Sequence, residues 1–176
     1  MAILHHQFES IHPFFDGNGR TGRIINVLYL VLKGFLDIPV LYLSRYIIRN
    51  KDEYYTLLQS TRNTGDWKSW VMYMLECVEQ IASQTIDQIV AIRDAHQLTK
   101  EIIKQQLPKL YSRELVDSLF LHPYTKIEYF QVQLEVSRQT ASIRLSQLVD
   151  IGILDKMVLG KNHYFINKKL FSLLSD

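Results

Sequence analysis

Residues 12–23 read His-Pro-Phe-Phe-Asp-Gly-Asn-Gly-Arg-Thr-Gly-Arg, and this stretch decides how the rest of the chain is read. Gly17 and Gly19 let a loop take positive φ and bring backbone N–H groups close to a ligand. The apolar periodicity that follows makes the next segment a helix, so its positive dipole end is aimed at the same point. A glycine loop feeding a helix N-terminus is an anion cradle. Arg20 and Arg23 lie three apart, on one face of the first helical turns, and two planar guanidinium forks suit several phosphates better than one. Asp16 beside the cradle would repel phosphate on its own, but a carboxylate holding Mg²⁺ bridges to it. Histidine is the side-chain type suited to proton transfer near neutral pH, which makes His12 the candidate base. The chain supplies its own control: His122-Pro123 is followed by no glycine loop and reads as a simple helix stop.

Working outward, Leu4, Phe8 and Ile11 recur as one helical face with no capping residue before them, so the chain is expected to open inside a helix. After the motif, Ile24, Ile25, Leu28 and Leu32 continue as a helix that stops near Lys33-Gly34. Residues 35–43 form a connector containing Pro39. Ser44 is the expected N-cap of a helix running to Thr64-Gly65, and Asp66 caps the next. There Trp67, Trp70, Val71, Met74, Leu75, Val78, Ile81, Ile89 and Ile92 keep an apolar stripe going, with an end near Pro108 and a break around Ala95-His96. In the last third, helices are expected from about Ser112 to Leu121, from Thr125 to Leu134, and after Ser137. Then Ile153 to Val158 and His163 to Ile166 form a hairpin across Gly160-Lys161-Asn162. Three short helices, a tight Leu134-Glu-Val-Ser137 turn and a hairpin spell a winged helix-turn-helix. The fold class is therefore mainly α with a small α+β domain, divided at 1–110 and 111–176.

The chain has 176 residues, 47% of them hydrophobic, enough to bury a core. Its 20 Lys+Arg against 18 Asp+Glu leave a net charge of +2, which gives no whole-chain field for gripping nucleic acid or a membrane. One cysteine, Cys77, excludes an internal disulfide and a thiolate zinc cage. Neither a membrane span nor a secretory signal is visible, so the expected location is cytoplasmic.

Residues 12–23 resemble the Fic family motif, His-Pro-Phe-x-Asp/Glu-Gly-Asn-Gly-Arg-x-x-Arg, with no departure at any defined position. Residues 43–55, Leu-Ser-Arg-Tyr-Ile-Ile-Arg-Asn-Lys-Asp-Glu-Tyr-Tyr, and then Thr64-Gly-Asp-Trp67, are similar to the segments that follow it in Fic proteins carrying a C-terminal winged helix. The resemblance implies a Fic-type helical bundle followed by the winged helix, and it implies that earlier helices and a β-hairpin flap, and in many members of the family an inhibitory helix, precede the residues seen here. It further implies adenylylation, the transfer of AMP from ATP to a hydroxyl of a target protein. His12 would take the hydroxyl proton, and Asp16 would hold Mg²⁺. Gly17, Asn18, Gly19, Arg20, Thr21, Gly22 and Arg23 would cradle the phosphates, with Arg20 on the β region and Arg23 on the γ-phosphate. Tyr55 would flank the adenosine end, with Tyr54 and Arg62 as weaker candidates. Two alternatives stay open: transfer of a different nucleotide or phosphate group, and a DNA-binding regulator in which the Fic segment is a nucleotide sensor or an inactive relic. A homo-oligomer is also compatible with the sequence.

Other residues take plainer readings. Phe14 is expected to anchor the loop in the core, His5 and His6 to face solvent or core, Cys77 to act as a small hydrophobe, and Trp67, Trp70 and Tyr73 to be core. Arg138, Gln139, Ser142 and Arg144 are placed to enter a major groove. Yet residues 112–176 hold eight Lys+Arg against seven Asp+Glu, thin for DNA affinity, which favours packing or partner binding.

Overall fold

The computed structural model describes residues 1–160 and 162–175, which form two compact units, Met1–Asp87 and Gln88–Asp176. In order the first holds α1 (Ala2–Ile11), α2 (Asn18–Leu32), α3 (Ser44–Arg49) and α4 (Lys51–Thr64). The division falls within the long helix α5 (Trp67–Gln106). The second unit continues with α6 (Arg113–Leu121), β1 (Tyr124–Thr125), α7 (Ile127–Leu134), α8 (Arg138–Asp150), β2 (Leu154–Leu159), β3 (Asn162–Asn167) and α9 (Lys168–Ser175). The chain is thus mainly helical with a small α+β part. Among the described residues no helix is long and apolar enough to cross a membrane.

Helix ends follow the local chemistry. Gly34 and Gly65 take φ of 72° and 74°, the left-handed conformation that ends α2 and α4 at little cost. Asp66 accepts from the Ser69 amide at 3.2 Å, the cap expected of it, and Ser112 and Ser137 cap α6 and α8. Ser44 does not behave as expected. Leu43 takes the cap position, Ser44 is already helical, and its hydroxyl is engaged elsewhere. The helix expected over 44–64 is broken at Asn50, whose φ of −115° leaves the helical region and whose side chain donates back to the Tyr46 carbonyl at 3.0 Å. No break occurs at Ala95-His96: α5 runs through, with Ala95 buried. Thr125 belongs to β1 rather than to α7, and α9 was not foreseen.

The core of the first unit gathers Leu43, Ile47, Tyr54, Trp70, Met74 and Cys77, with Tyr73 beside them and Trp67 half-buried. α1 contributes to it in an unexpected way. The apolar face read over Leu4, Phe8 and Ile11 is largely outside, Ile11 being 71% exposed, and the buried pair is His5 and His6. Aromatic partners make that burial affordable: His5 stacks on Trp70, with centroids 6.1 Å apart and planes 3° from parallel, and His6 meets the edge of Trp67 at 4.8 Å. His6 Nε2 also donates to the Leu58 carbonyl at 3.2 Å. In the second unit Leu115, Phe130, Leu145, Leu148 and Phe165 are buried between α6–α8 and an antiparallel sheet of order β1-β3-β2. Register pairs Thr125 with Phe165 and Asp155 with Ile166; Lys161, in the expected hairpin turn, lies outside the described residues.

Candidate active site

The motif loop is built from its two ends. His12 closes α1 in a left-handed conformation, φ 51° and ψ 56°, with its amide donating to the Phe8 carbonyl at 3.0 Å. This backbone turn stops the helix and leaves the imidazole exposed at the mouth of the loop. At the other end Gly17, φ 86°, occupies the cap position of α2, where no side chain supplies a cap and no acidic residue sits in the first turn. Beyond Gly17, whose amide donates to Asp16, the first N–H groups of α2 have neither intrahelical nor side-chain acceptors, which makes this terminus available to an anion.

Asn18 holds the loop shut between these ends. Its side chain is buried, its Oδ1 accepts from the Phe14 amide at 2.9 Å, and its Nδ2 donates to the Phe14 carbonyl at 2.6 Å. The structure thus puts the Asn18 amide on the loop backbone. Phe14 anchors the loop through that backbone and not through core burial: the residue is 50% exposed and its ring lies tilted against Phe8.

Asp16 and Arg20 face each other across one turn at 3.1 Å, and the Asp16 Oδ1 accepts from the Gly17 amide at 2.6 Å. The pair is largely exposed, so its contribution is on the order of 0.5 kcal/mol and both groups remain free to exchange partners. Arg23 is oriented from outside the motif, its Nε donating to Ser44 Oγ at 2.6 Å. No local pattern announces this contact, because the two residues are 21 positions apart and Ser44 reads as a helix cap. Arg20 and Arg23 both line a cavity of about 580 Å³ whose other walls, Ser44 and Tyr42 apart, are apolar, among them Ile24, Leu43 and Ile48.

Thr21 follows Gly17 in the ladder, donating to its carbonyl at 2.9 Å. Gly22 is buried where α1 crosses α2: a β-carbon there would lie 2.6 Å from Glu9 Oε1 and 3.0 Å from His5 Cε1. Gly17 is thus glycine for its conformation, Gly22 for close approach. α4 is tied to α1 by Tyr54, whose hydroxyl meets His5 Nε2 at 3.0 Å, while Arg62 reaches Ser10 Oγ at 3.4 Å. Tyr55 stands on the exposed side of α4, edge-on to Tyr54 and with the Lys51 ammonium 5.9 Å from its ring centre. Among the described residues no three His, Cys, Asp or Glu gather as a metal cage.

Comparison with known proteins agrees with this geometry. Residues 1–30, which contain the whole loop, match the model of the Fic/DOC family, and residues 95–170 match the C-terminal domain of protein adenylyltransferase SoFic-like proteins. These two matches support a Fic family protein. Similar proteins include the protein adenylyltransferase Fic of Nematostella vectensis, 28% identical over 57% of this chain and 22% of that protein. Those of Aedes aegypti and Drosophila willistoni are 33% and 27% identical, over 45% and 63% of this chain. The chain spans between 14 and 22% of the length of these three relatives.

Proposed function

We propose that the protein transfers AMP from ATP to a side-chain hydroxyl of another protein. The observation that carries this reading is the uncapped N-terminus of α2, flanked by Arg20 and Arg23 and faced by a histidine held at the start of the same loop. An anion site of this kind suits a polyphosphate, and a base at its edge suits attack by a hydroxyl on it. In the transfer, His12 takes the proton of the acceptor hydroxyl. The oxygen forms a bond to the α-phosphorus, the bond from that phosphorus to the bridging oxygen breaks, and pyrophosphate leaves. The N–H groups of α2 and Arg20 take up charge on the phosphates, and Arg23, fixed by Ser44, reaches the terminal one. Tyr55 flanks the nucleoside.

A lone exposed carboxylate fits Mg²⁺, which is commonly held by one or two carboxylates and the substrate's own phosphates, so Asp16 would hold it. When bound, the ion supplies charge neutralisation between carboxylate and phosphate. The second unit reads as a winged helix that binds a partner or packs rather than gripping DNA. Arg138, at the start of α8, is already paired with Glu128 at 2.9 Å, which offsets its positive charge.

The test is ATP labelled on the α-phosphate, incubated with the protein and a lysate. His12→Asn keeps a residue that tolerates the left-handed backbone and removes the base. It should lower labelling by roughly 10²–10⁴-fold with ATP binding largely retained. Undiminished labelling would refute the assignment. Arg23→Ala should weaken ATP far more than AMP in a calorimetric titration, and an equal loss for the two nucleotides would exclude its contact with the terminal phosphate.

A further inference from the structure

Behind the loop, at the crossing of α1 and α2, two buried polar atoms have no hydrogen-bond partner: Glu9 Oε1 and His5 Nδ1. Both crowd the same point, since a β-carbon on Gly22 would lie 2.6 Å from the first and 3.1 Å from the second. Buried polar atoms without partners are uncommon, and a pair facing one spot calls for an explanation. The other edge of the His5 ring supplies it. If Tyr54 donates its hydroxyl proton to His5 Nε2, 3.0 Å away, the ring proton sits on Nδ1 and is turned toward Glu9, which one water would bridge. The Gly22 carbonyl also faces the ring, without hydrogen-bond geometry.

Glu9 in turn faces the motif. A β-carbon on Gly19 would lie 3.1 Å from Arg23 Nη1 and 4.0 Å from Glu9 Oε1, so these two groups converge on the same point beside that glycine. His12, one turn beyond Glu9, is also close enough to act on its charge. We propose that Glu9, seated by the Tyr54–His5 pair, is a positioning residue whose carboxylate serves as the shared counter-charge of His12 and Arg23. As His12 takes the acceptor's proton it becomes cationic, and a carboxylate behind it stabilises that cation. On Arg23 the same charge restrains the guanidinium, at the cost of weakening its pull on phosphate. The inference rests on the transfer reading for its first half only.

The charged and titratable groups around Glu9 are His5 and His12 on its own helix, Arg23 from α2 and Tyr54 from α4. Burial pushes the Glu9 carboxyl above the usual carboxylate range, while His12 and Arg23 pull it back. Hence its charge, and with it the effect, disappears as pH falls through that raised value.

Glu9→Gln therefore has opposite effects on the two properties. Transfer should slow by roughly tenfold, while ATP should bind about threefold more tightly at pH 8, measured by calorimetry. Because ATP titrates alike in both proteins, the ratio of the two affinities isolates Glu9, and it should return to one near pH 4. Glu9→Asp, which keeps the charge, should recover part of the rate and most of the wild-type affinity. Weaker ATP binding together with a lower melting temperature in both variants would overturn the proposal in favour of a packing role, and so would an affinity ratio of one at every pH. If the wild type labels no protein, the transfer reading fails, and the affinity ratio still decides whether Glu9 is the counter-charge of Arg23.

Discussion

The buried imidazole of His5 makes the first unit sensitive to acid in a way that can be calculated. Burial lowers its pKa from the ordinary 6.5 to about 4, with Arg23 and His6 adding to the effect and the Gly22 carbonyl opposing it. The folded chain refuses a proton that the unfolded chain accepts, so between these two values the unfolded state binds more protons and stability falls as pH falls. A change of that size corresponds to about 3 kcal/mol, fully present at pH 7 and lost by pH 4. Glu9 works in the opposite sense. Its raised carboxyl is protonated earlier in the folded state, giving stability that is lost as pH climbs from the ordinary carboxylate range through the raised value. The assay is urea unfolding followed by tryptophan fluorescence at a series of pH values. Trp67 and Trp70 are the two tryptophans and both lie in the first unit, so the signal is not mixed with the second. Wild type should lose about 3 kcal/mol, less what Glu9 returns; Glu9→Gln should make the loss steeper, and His5→Gln should flatten it. An equal acid slope in wild type and His5→Gln would refute the reasoning.

Two further outcomes follow from single side chains. Asn18→Ala removes both bonds to the Phe14 backbone, and should cost about 2 kcal/mol in the same urea assay and weaken ATP in calorimetry, with Asn18→Asp, which keeps only the acceptor, in between. In the second unit, buried Asn167 donates from Nδ2 to the Leu119 carbonyl at 3.1 Å and accepts from the Leu170 amide at 3.0 Å. Asn167→Ala should cost about 2 kcal/mol, detected by far-ultraviolet circular dichroism while tryptophan fluorescence barely changes.

The motif, its loop and the helix after it were legible because glycine conformation, arginine spacing and apolar period are local properties. Capping was legible for the same reason at Asp66. What escaped depends on distant partners. Ser44 carries every mark of a cap, yet Arg23 claims its hydroxyl from another helix. The buried face of α1 was misread because histidine counts as polar until Trp67, Trp70 and Tyr54 are known to surround it. Asn50 breaks a helix whose apolar period continues on both sides of it. α9 was missed because its anchor is Asn167, which reads as the end of a strand and serves as the helix cap.

Gly22 has a consequence for how sequences of this kind can drift. At that crossing the room left by a missing side chain is already occupied by the carboxylate of Glu9 and the ring of His5. The three positions therefore share one volume, and none can grow alone. A related chain carrying serine or alanine at the place of Gly22 should carry a shorter or apolar residue at the place of Glu9, or something smaller than histidine at the place of His5. Substitution at one site should be tolerated only on the background of the other. Gly22→Ser paired with Glu9→Val should consequently be more stable than Gly22→Ser alone, although the two residues sit on different helices and neither change looks compensatory when the sequence is read along its length.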